Sequence, residues 1–296
     1  MTLMPMKVKA MPSAMRLCEW VALDEKLYEA EGLAIEIPWD VLHGTMSKWQ
    51  AEYRSRPQDK PFTTTGNDAG IMSACSWGSV CNAASGMGKF VPDVHGVSPW
   101  GIYVRAESKI RGPADLRDVP IGVALRAGSH FSVPFHLEKY LPLENIKPVH
   151  VGGHGGRLTA LLDKEVEAAS LMPPQTYMAD ELGVRRVVGG QFKTLWWVDE
   201  HVTGEAIKRY FRALKRAEAM MARDLGRYLP LWKHSIPPQH QNRTWNFAAF
   251  GPGERFVDEP ISREEYDELI AQTDRWNLGD VLKERAFENL IVHAAG

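Results

Sequence analysis

Apolar and polar positions along this chain fall into short blocks that switch between a period of two and a period near 3.6. Lys7 to Ala14 reads as a short strand. Beyond it, Trp20, Leu23 and Leu27 share one face of a helix over Leu17 to Glu31, which Gly32 ends. Leu33-Ala34-Ile35-Glu36-Ile37 alternates as a strand does. Ala69 to Met72 reads as a buried strand that runs into a loop of small residues, Ser73-Ala74-Cys75-Ser76-Trp77-Gly78. A helix follows, then a strand over Trp100 to Arg105.

The middle of the chain repeats the alternation. Pro113 to Leu116 opens a short helix, Ile121 to Ala124 is a strand, and Val133, Leu137, Tyr140 and Leu141 form a helical stripe. Arg157 to Leu162 reads as helix, while Val166 to Leu171 and Val184 to Val188 read as strands. Strand–helix alternation of this kind predicts an α/β fold with parallel sheets. After Val198 helices take over: Ile207, Phe211, Leu214, Met221 and Leu225 hold helical spacing, and Ser262-x-x-Glu265 is a capping box ahead of a last long helix. No internal repeat or low-complexity segment interrupts the pattern.

At 296 residues, the chain is long enough for two lobes with a core each. Lys+Arg 35 against Asp+Glu 37 gives a formal charge of -2, so no global field favours nucleic acid or an acidic membrane. No stretch approaches the roughly 18 apolar residues of a spanning helix. Met1 to Met15 has no uninterrupted apolar run of the roughly 7–15 residues that a secretory leader needs, so a cytoplasmic location is expected, or a periplasmic one if a leader has been removed. Three cysteines, Cys18, Cys75 and Cys81, suit a reducing compartment, and their spacing does not suggest a zinc site. Neither metal nor cofactor is expected.

Three phrases carry a family likeness. Cys18 to Ile37, CEWVALDEKLYEAEGLAIEI, resembles the opening of the aliphatic-sulfonate, taurine and thiamine-pyrimidine-precursor binding family, with Leu27-Tyr28 in place of its aromatic pair. Gly101 to His130 is similar to the family's second-lobe opening, with Asp118 where a glycine is usual. Gly156 to Pro174 resembles its "Ala-Leu-x-x-Gly-x-Val-Asp-Ala" segment, with Lys164 and Glu167 replacing Gly and Asp. The resemblance implies a two-lobed type II periplasmic-binding-protein fold with a ligand cleft between the lobes. Residues 1–100 plus 199–296 would form lobe 1 and residues 101–198 lobe 2. The family holds exported receptors that serve ABC permeases, and also cytoplasmic enzymes, among them a biphenyl-sulfinate desulfinase.

Several residues are candidates for the cleft. The turn Gly128-Ser129-His130 lies between a strand and a helix, where free amides and the helix dipole hold a carboxylate, sulfonate or phosphate. Cys18 stands at the start of the first helix, where the positive dipole end favours the thiolate. His43 occupies a location comparable to the histidine of the desulfinase, so Cys18 as nucleophile with His43 as acid and base is the catalytic expectation. Cys75 is the rival nucleophile, and Cys81 reads as an inert helix residue. Glu19, Trp20, Ser76, Trp77, Trp100 and the glycine-flanked His154 are further expected ligand contacts, the tryptophans as stacking walls for an aromatic or heterocyclic ligand. Arg105 and Arg157 are candidates to neutralise an anion.

Two functions compete on the sequence. One is a cytoplasmic Cys-dependent lyase or hydrolase that removes an acidic group from a small aromatic substrate. The other is a non-catalytic binder of a sulfonate, carboxylate or pyrimidine-like ligand that delivers it to an ABC permease.

Overall fold

The computed structural model describes residues 5–10, 12–37 and 70–294. Strand β1 (Met6–Lys9) leads into helices α1 (Leu17–Asp24) and α2 (Leu27–Ala30), then β2 (Leu33–Glu36). The single helix expected over Leu17 to Glu31 is thus two. Lys26 sits in the left-handed region at φ 53°, which breaks the helix between them. Strand β3 (Ile71–Cys75), helix α3 (Ser76–Ala84), β4 (Lys89–Phe90) and β5 (His95–Val104) come next. Ser73 to Cys75, expected as loop, is therefore strand. Its small residues pair with Leu195, Trp196 and Thr194 on a partner that supplies the bulk they lack.

Four β–α steps follow: β6 (Pro120–Val123) into α4 (Gly128–Leu137), β7 (Lys147–His150) into α5 (His154–Leu162), β8 (Ala168–Leu171) into α6 (Gln175–Glu181), and β9 (Arg185–Val198) into α7 (Gly204–Arg223). Short α8 (Leu225–Tyr228) and β10 (Arg255–Val257), long α9 (Arg263–Arg275) and short α10 (Phe287–Leu290) complete the chain. The capping box forms as expected: Ser262 Oγ accepts the Glu265 amide while the Glu265 carboxylate accepts the Ser262 amide.

Strands β5 and β9 organise everything else. They pair antiparallel from Gly96↔Thr194 to Val104↔Arg185. At one end β3 joins β9, from Ile71↔Val198 to Cys75↔Thr194, and β10 joins β5 as far as Val97. At the other end β8 joins β5, from Gly101↔Leu171 onward, with β6 and β7 continuing the sheet in parallel. Ser98–Trp100 and Gly190–Phe192 pair with one another alone among the described residues. This shared stretch is the crossing between the two halves of the sheet. The five steps from Thr194 to Gly189 correspond to about 16 Å.

The directions matter for function. β3 runs antiparallel to β9 and β8 antiparallel to β5, so the carboxyl end of β3 and the carboxyl ends of β6, β7 and β8 face each other across the crossing. In open α/β sheets, ligands sit outside such carboxyl ends. Among the described residues no helix is long and apolar enough to span a membrane.

Candidate functional site

On one side of the crossing, three turns after β6, β7 and β8 bring the N-termini of α4, α5 and α6 to one edge. At α4, Ser129 Oγ accepts the Ala124 amide at 2.9 Å, and His130 Nδ1 accepts the Arg126 amide at 3.0 Å. The Ser129 hydroxyl and the His130 ring thus brace the turn, so its remaining capacity lies in backbone amides. No acceptor for the Gly128 and Ser129 amides is present among the described residues. Burial, with Arg126 and His150 nearby, lowers His130 to about 4, so its ring is neutral.

Arg157, on α5, is buried, and burial lowers its guanidinium to about 9; its Nη2 lies 4.0 Å from Met172 Sδ. At the start of α6, Gln175 is 0% exposed, and neither its Nε2 nor its Oε1 has a partner among the described residues. Thr176 Oγ1 is in the same state. Leaving an amide buried and unpaired costs about 1–3 kcal/mol by protein mutational data.

Across the crossing, Cys75 is the N-cap of α3, its Sγ accepting the Gly78 amide at 3.2 Å. Beside it lies a buried ionic cluster that the sequence did not announce. Arg16 reaches Glu19 at 2.5 Å, Ser73 Oγ at 3.2 Å and Thr194 Oγ1 at 3.3 Å, and also pairs with Glu254. Its guanidinium lies 4.0 Å from the Trp196 ring centroid. Glu19 in turn accepts the Tyr210 hydroxyl at 3.0 Å and the Ser13 amide. Burial raises Glu19 against the pull of Arg16 and the Ser13 amide, and Glu254, the second carboxylate on that guanidinium, adds a smaller push in the same direction. Arg16 with Glu19 at i+3 was the visible half of this cluster; Glu254 lies far away in the chain.

The two edges touch. A β-carbon placed on Gly128 would stand 3.3 Å from both Cys75 Cβ and Met172 Cε, and 3.6 Å from Phe192 Cε2. Gly128 and Cys75 are therefore brought together as neighbours.

The other expected residues fall elsewhere. Cys18 lies in the first turn of α1 but at 0% exposure, packed in the core that includes Val21, Leu214 and Trp232. Burial first, then Glu218, raises its thiol well above the ordinary value, the reverse of the expected lowering; desolvation outweighs the dipole. His43 lies outside the described residues. Glu19 serves Arg16. Trp20 is buried, its Nε1 donating to Ser235 Oγ at 2.8 Å. Ser76 is buried in the first turn of α3. Trp77 packs among Phe135 at 5.0 Å, Trp276 at 5.6 Å and Phe131 at 5.9 Å, so its ring contributes to the core. Trp100 stacks on His136 at 4.4 Å and donates to Ser170 Oγ at 2.7 Å. His154 begins α5, and its side chain is not among those described. Arg105 is held by Glu107 and Glu167 at the surface. Among the described residues no cluster could hold a metal ion.

Solved structures of the same shape place this arrangement. The chain superposes on the alkanesulfonate-binding protein SsuA from Xanthomonas axonopodis pv. citri bound to MOPS, with TM-score 0.68, 16% identity and coverage of 98% of this chain and 99% of that one. The Candida albicans CA3427 gene product, which exhibits the generic periplasmic binding protein fold, matches at TM-score 0.63 and 12% identity over 98% and 96%. The chain has the type II periplasmic-binding-protein fold. Desulfurization enzyme DszB shares the shape at TM-score 0.55 and 14% identity over 97% and 96%. No protein-family model and no curated protein matches the chain. In a periplasmic-binding-protein fold, the space between the two facing carboxyl edges is the ligand cleft.

Proposed function

We propose that this protein is a two-lobed clamp that binds a small organic anion, a sulfonate or carboxylate, in its interlobe cleft beside the Gly128 turn. The observation that carries this reading is the convergence of three helix N-termini on a buried polar corner containing Arg157, Gln175 and Thr176. Helix N-termini attract anions through oriented amides and the dipole. An anion beside Arg157 offsets the burial that lowers its guanidinium. Gln175 and Thr176 supply neutral donors that orient it. The sulfonate ligand of the Xanthomonas protein is of this chemical class.

Titration calorimetry with MOPS, simple alkanesulfonates, arylsulfinates and aromatic carboxylates tests the reading. At least one binds with a dissociation constant below about 100 μM, about -5.5 kcal/mol or better. Arg157→Gln and Gln175→Leu each weaken it at least tenfold. Silence from the whole panel contradicts the reading.

A catalytic version rests on Cys75. Its sulfur caps a helix start beside the Gly128 amides, a favourable place for a nucleophile facing an anionic substrate. Burial pushes the Cys75 thiol up to about 12, with the Gly78 amide opposing, so activation would have to come with the ligand. Recovering the ligand after incubation separates the two: unchanged ligand supports the binder, converted ligand lost in Cys75→Ser supports the enzyme.

A further inference from the structure

The helix α4 whose first turn forms the anion corner is tied down at both ends by one stretch of the C-terminal region. Glu138, at the C-cap of α4, accepts Arg275 Nη2 at 2.9 Å, Arg275 Nε at 3.2 Å and Trp276 Nε1 at 2.9 Å. Arg126, just ahead of α4, meets Asp280 at 2.7 Å. Between these ties, Trp276 inserts toward α4, with Phe131 and Phe135 each at 6.5 Å. The same C-terminal helix α9 also holds the opposite lip of the cleft. Gln272 Oε1 accepts Trp77 Nε1–H at 2.6 Å, and Trp77 belongs to α3, which Cys75 caps.

We propose that residues 272–280 form a strap that holds the cleft shut, and that ligand entry and release require its contacts with α4 to break. This rests on the two-lobed clamp reading, with α9 on one lobe and α4 on the other. The strap contains two kinds of contact. The aromatic wedge of Trp276 and Trp77 is buried. The Arg275–Glu138 pair is partly exposed, with side-chain exposures of 43% and 26%, so water competes for it and it is the part that opens first. A strap of this design sets the rate of opening while leaving the residues of the anion corner untouched.

Cys75 reports the opening without any ligand, since it is buried against the Gly128 turn across the cleft. Cys18, at 0% exposure in the lobe 1 core, reports global unfolding. The test is pulsed alkylation of the full chain with iodoacetamide, each cysteine resolved by fragmentation mass spectrometry. Glu138→Gln and Arg275→Gln both speed modification of Cys75 about fivefold or more, with Cys18 unchanged. Arg263→Gln, which loses the Asp267 and Glu288 pairs elsewhere on α9, leaves Cys75 at the wild-type rate. Wild-type Cys75 rates in both strap variants overturn the strap. So does a parallel rise of Cys75 and Cys18, which would make these contacts ordinary supports of the whole fold. Because no ligand enters the measurement, its outcome is independent of whether an anion binds.

Discussion

Gly128 on α4 and Cys75 at the end of β3 meet across the cleft so closely that a β-carbon on Gly128 would lie 3.3 Å from Cys75 Cβ. The contact joins the proposed anion corner to the lip that faces it. No side chain on residue 128 fits without something moving.

Gly128→Val should therefore prop the lips apart. Its effect on stability should be modest, about 1–3 kcal/mol from overpacking, because the lips can separate. Affinity for whichever sulfonate or carboxylate binds should fall at least tenfold. Urea unfolding and calorimetry on the same variant check both halves, and tight binding by the valine variant would contradict the closed contact.

Gln175 gives a prediction whose sign is unusual. Its amide is buried with no partner among the described residues, so Gln175→Leu should stabilise the fold by about 1–3 kcal/mol while weakening ligand binding. Thermal unfolding with and without ligand measures the two effects. A destabilised leucine variant would show that the amide supports the fold.

Arg16 gives the opposite case. Arg16→Met leaves Glu19 and Glu254 buried without their shared cation, and should cost about 3–5 kcal/mol in urea unfolding. Exchanging Lys215, exposed like its partner Asp258, for Met should cost about 1 kcal/mol or less.

Acid should loosen the protein earlier than carboxylate protonation alone would. Burial holds His130 and His136 neutral down to about 4, against an ordinary 6.5; Arg126 and His150 add to this at His130, Lys139 at His136, and the Gln191 carbonyl opposes at His136. Folded values below unfolded ones mean that the unfolded chain takes up protons first. The histidine contribution is complete above about 6.5 and is lost as pH falls toward 4. Glu19, whose value is raised, works in the other direction and offsets part of the loss. The melting temperature should drop by roughly 5 °C or more between pH 7 and pH 5. His136→Gln should flatten that slope, and a wild-type slope in this variant would remove His136 from the account.

The fold was more legible in the sequence than the site was. Strand–helix alternation predicted the parallel β6, β7 and β8 but not the antiparallel pairing of β3, β5, β8, β9 and β10 around them, and the Ser262 capping box predicted the start of α9. Long strands were underestimated: β9 was expected only to Val188, yet it continues through Gly189-Gly190 to Val198 because β5 pairs with it as far as Thr194 and β3 from Thr194 to Val198. Glycines that look like a break tolerate pairing when the partner strand is long and fixed. The Gly128 turn was legible because small residues between a strand and a helix have a local meaning. Arg16 and Gln175 were not, since their significance comes from burial and from residues such as Glu254 that only the fold brings near. Cys18 misled for a related reason: its helix position is local, but the desolvation that governs its thiol is not.

The central claim is that the three helix N-termini around Gly128, Arg157 and Gln175 hold the ligand's acidic group. Hydrogen–deuterium exchange on the full chain, with and without a sulfonate or carboxylate that raises its melting temperature, tests this most directly. The account predicts slowed exchange concentrated at residues 125–130, 152–157 and 172–177, with lesser protection around residues 73–78. Protection absent from those segments, or confined to a distant surface such as the groove lined by Lys7, Lys9 and Thr203, would contradict it.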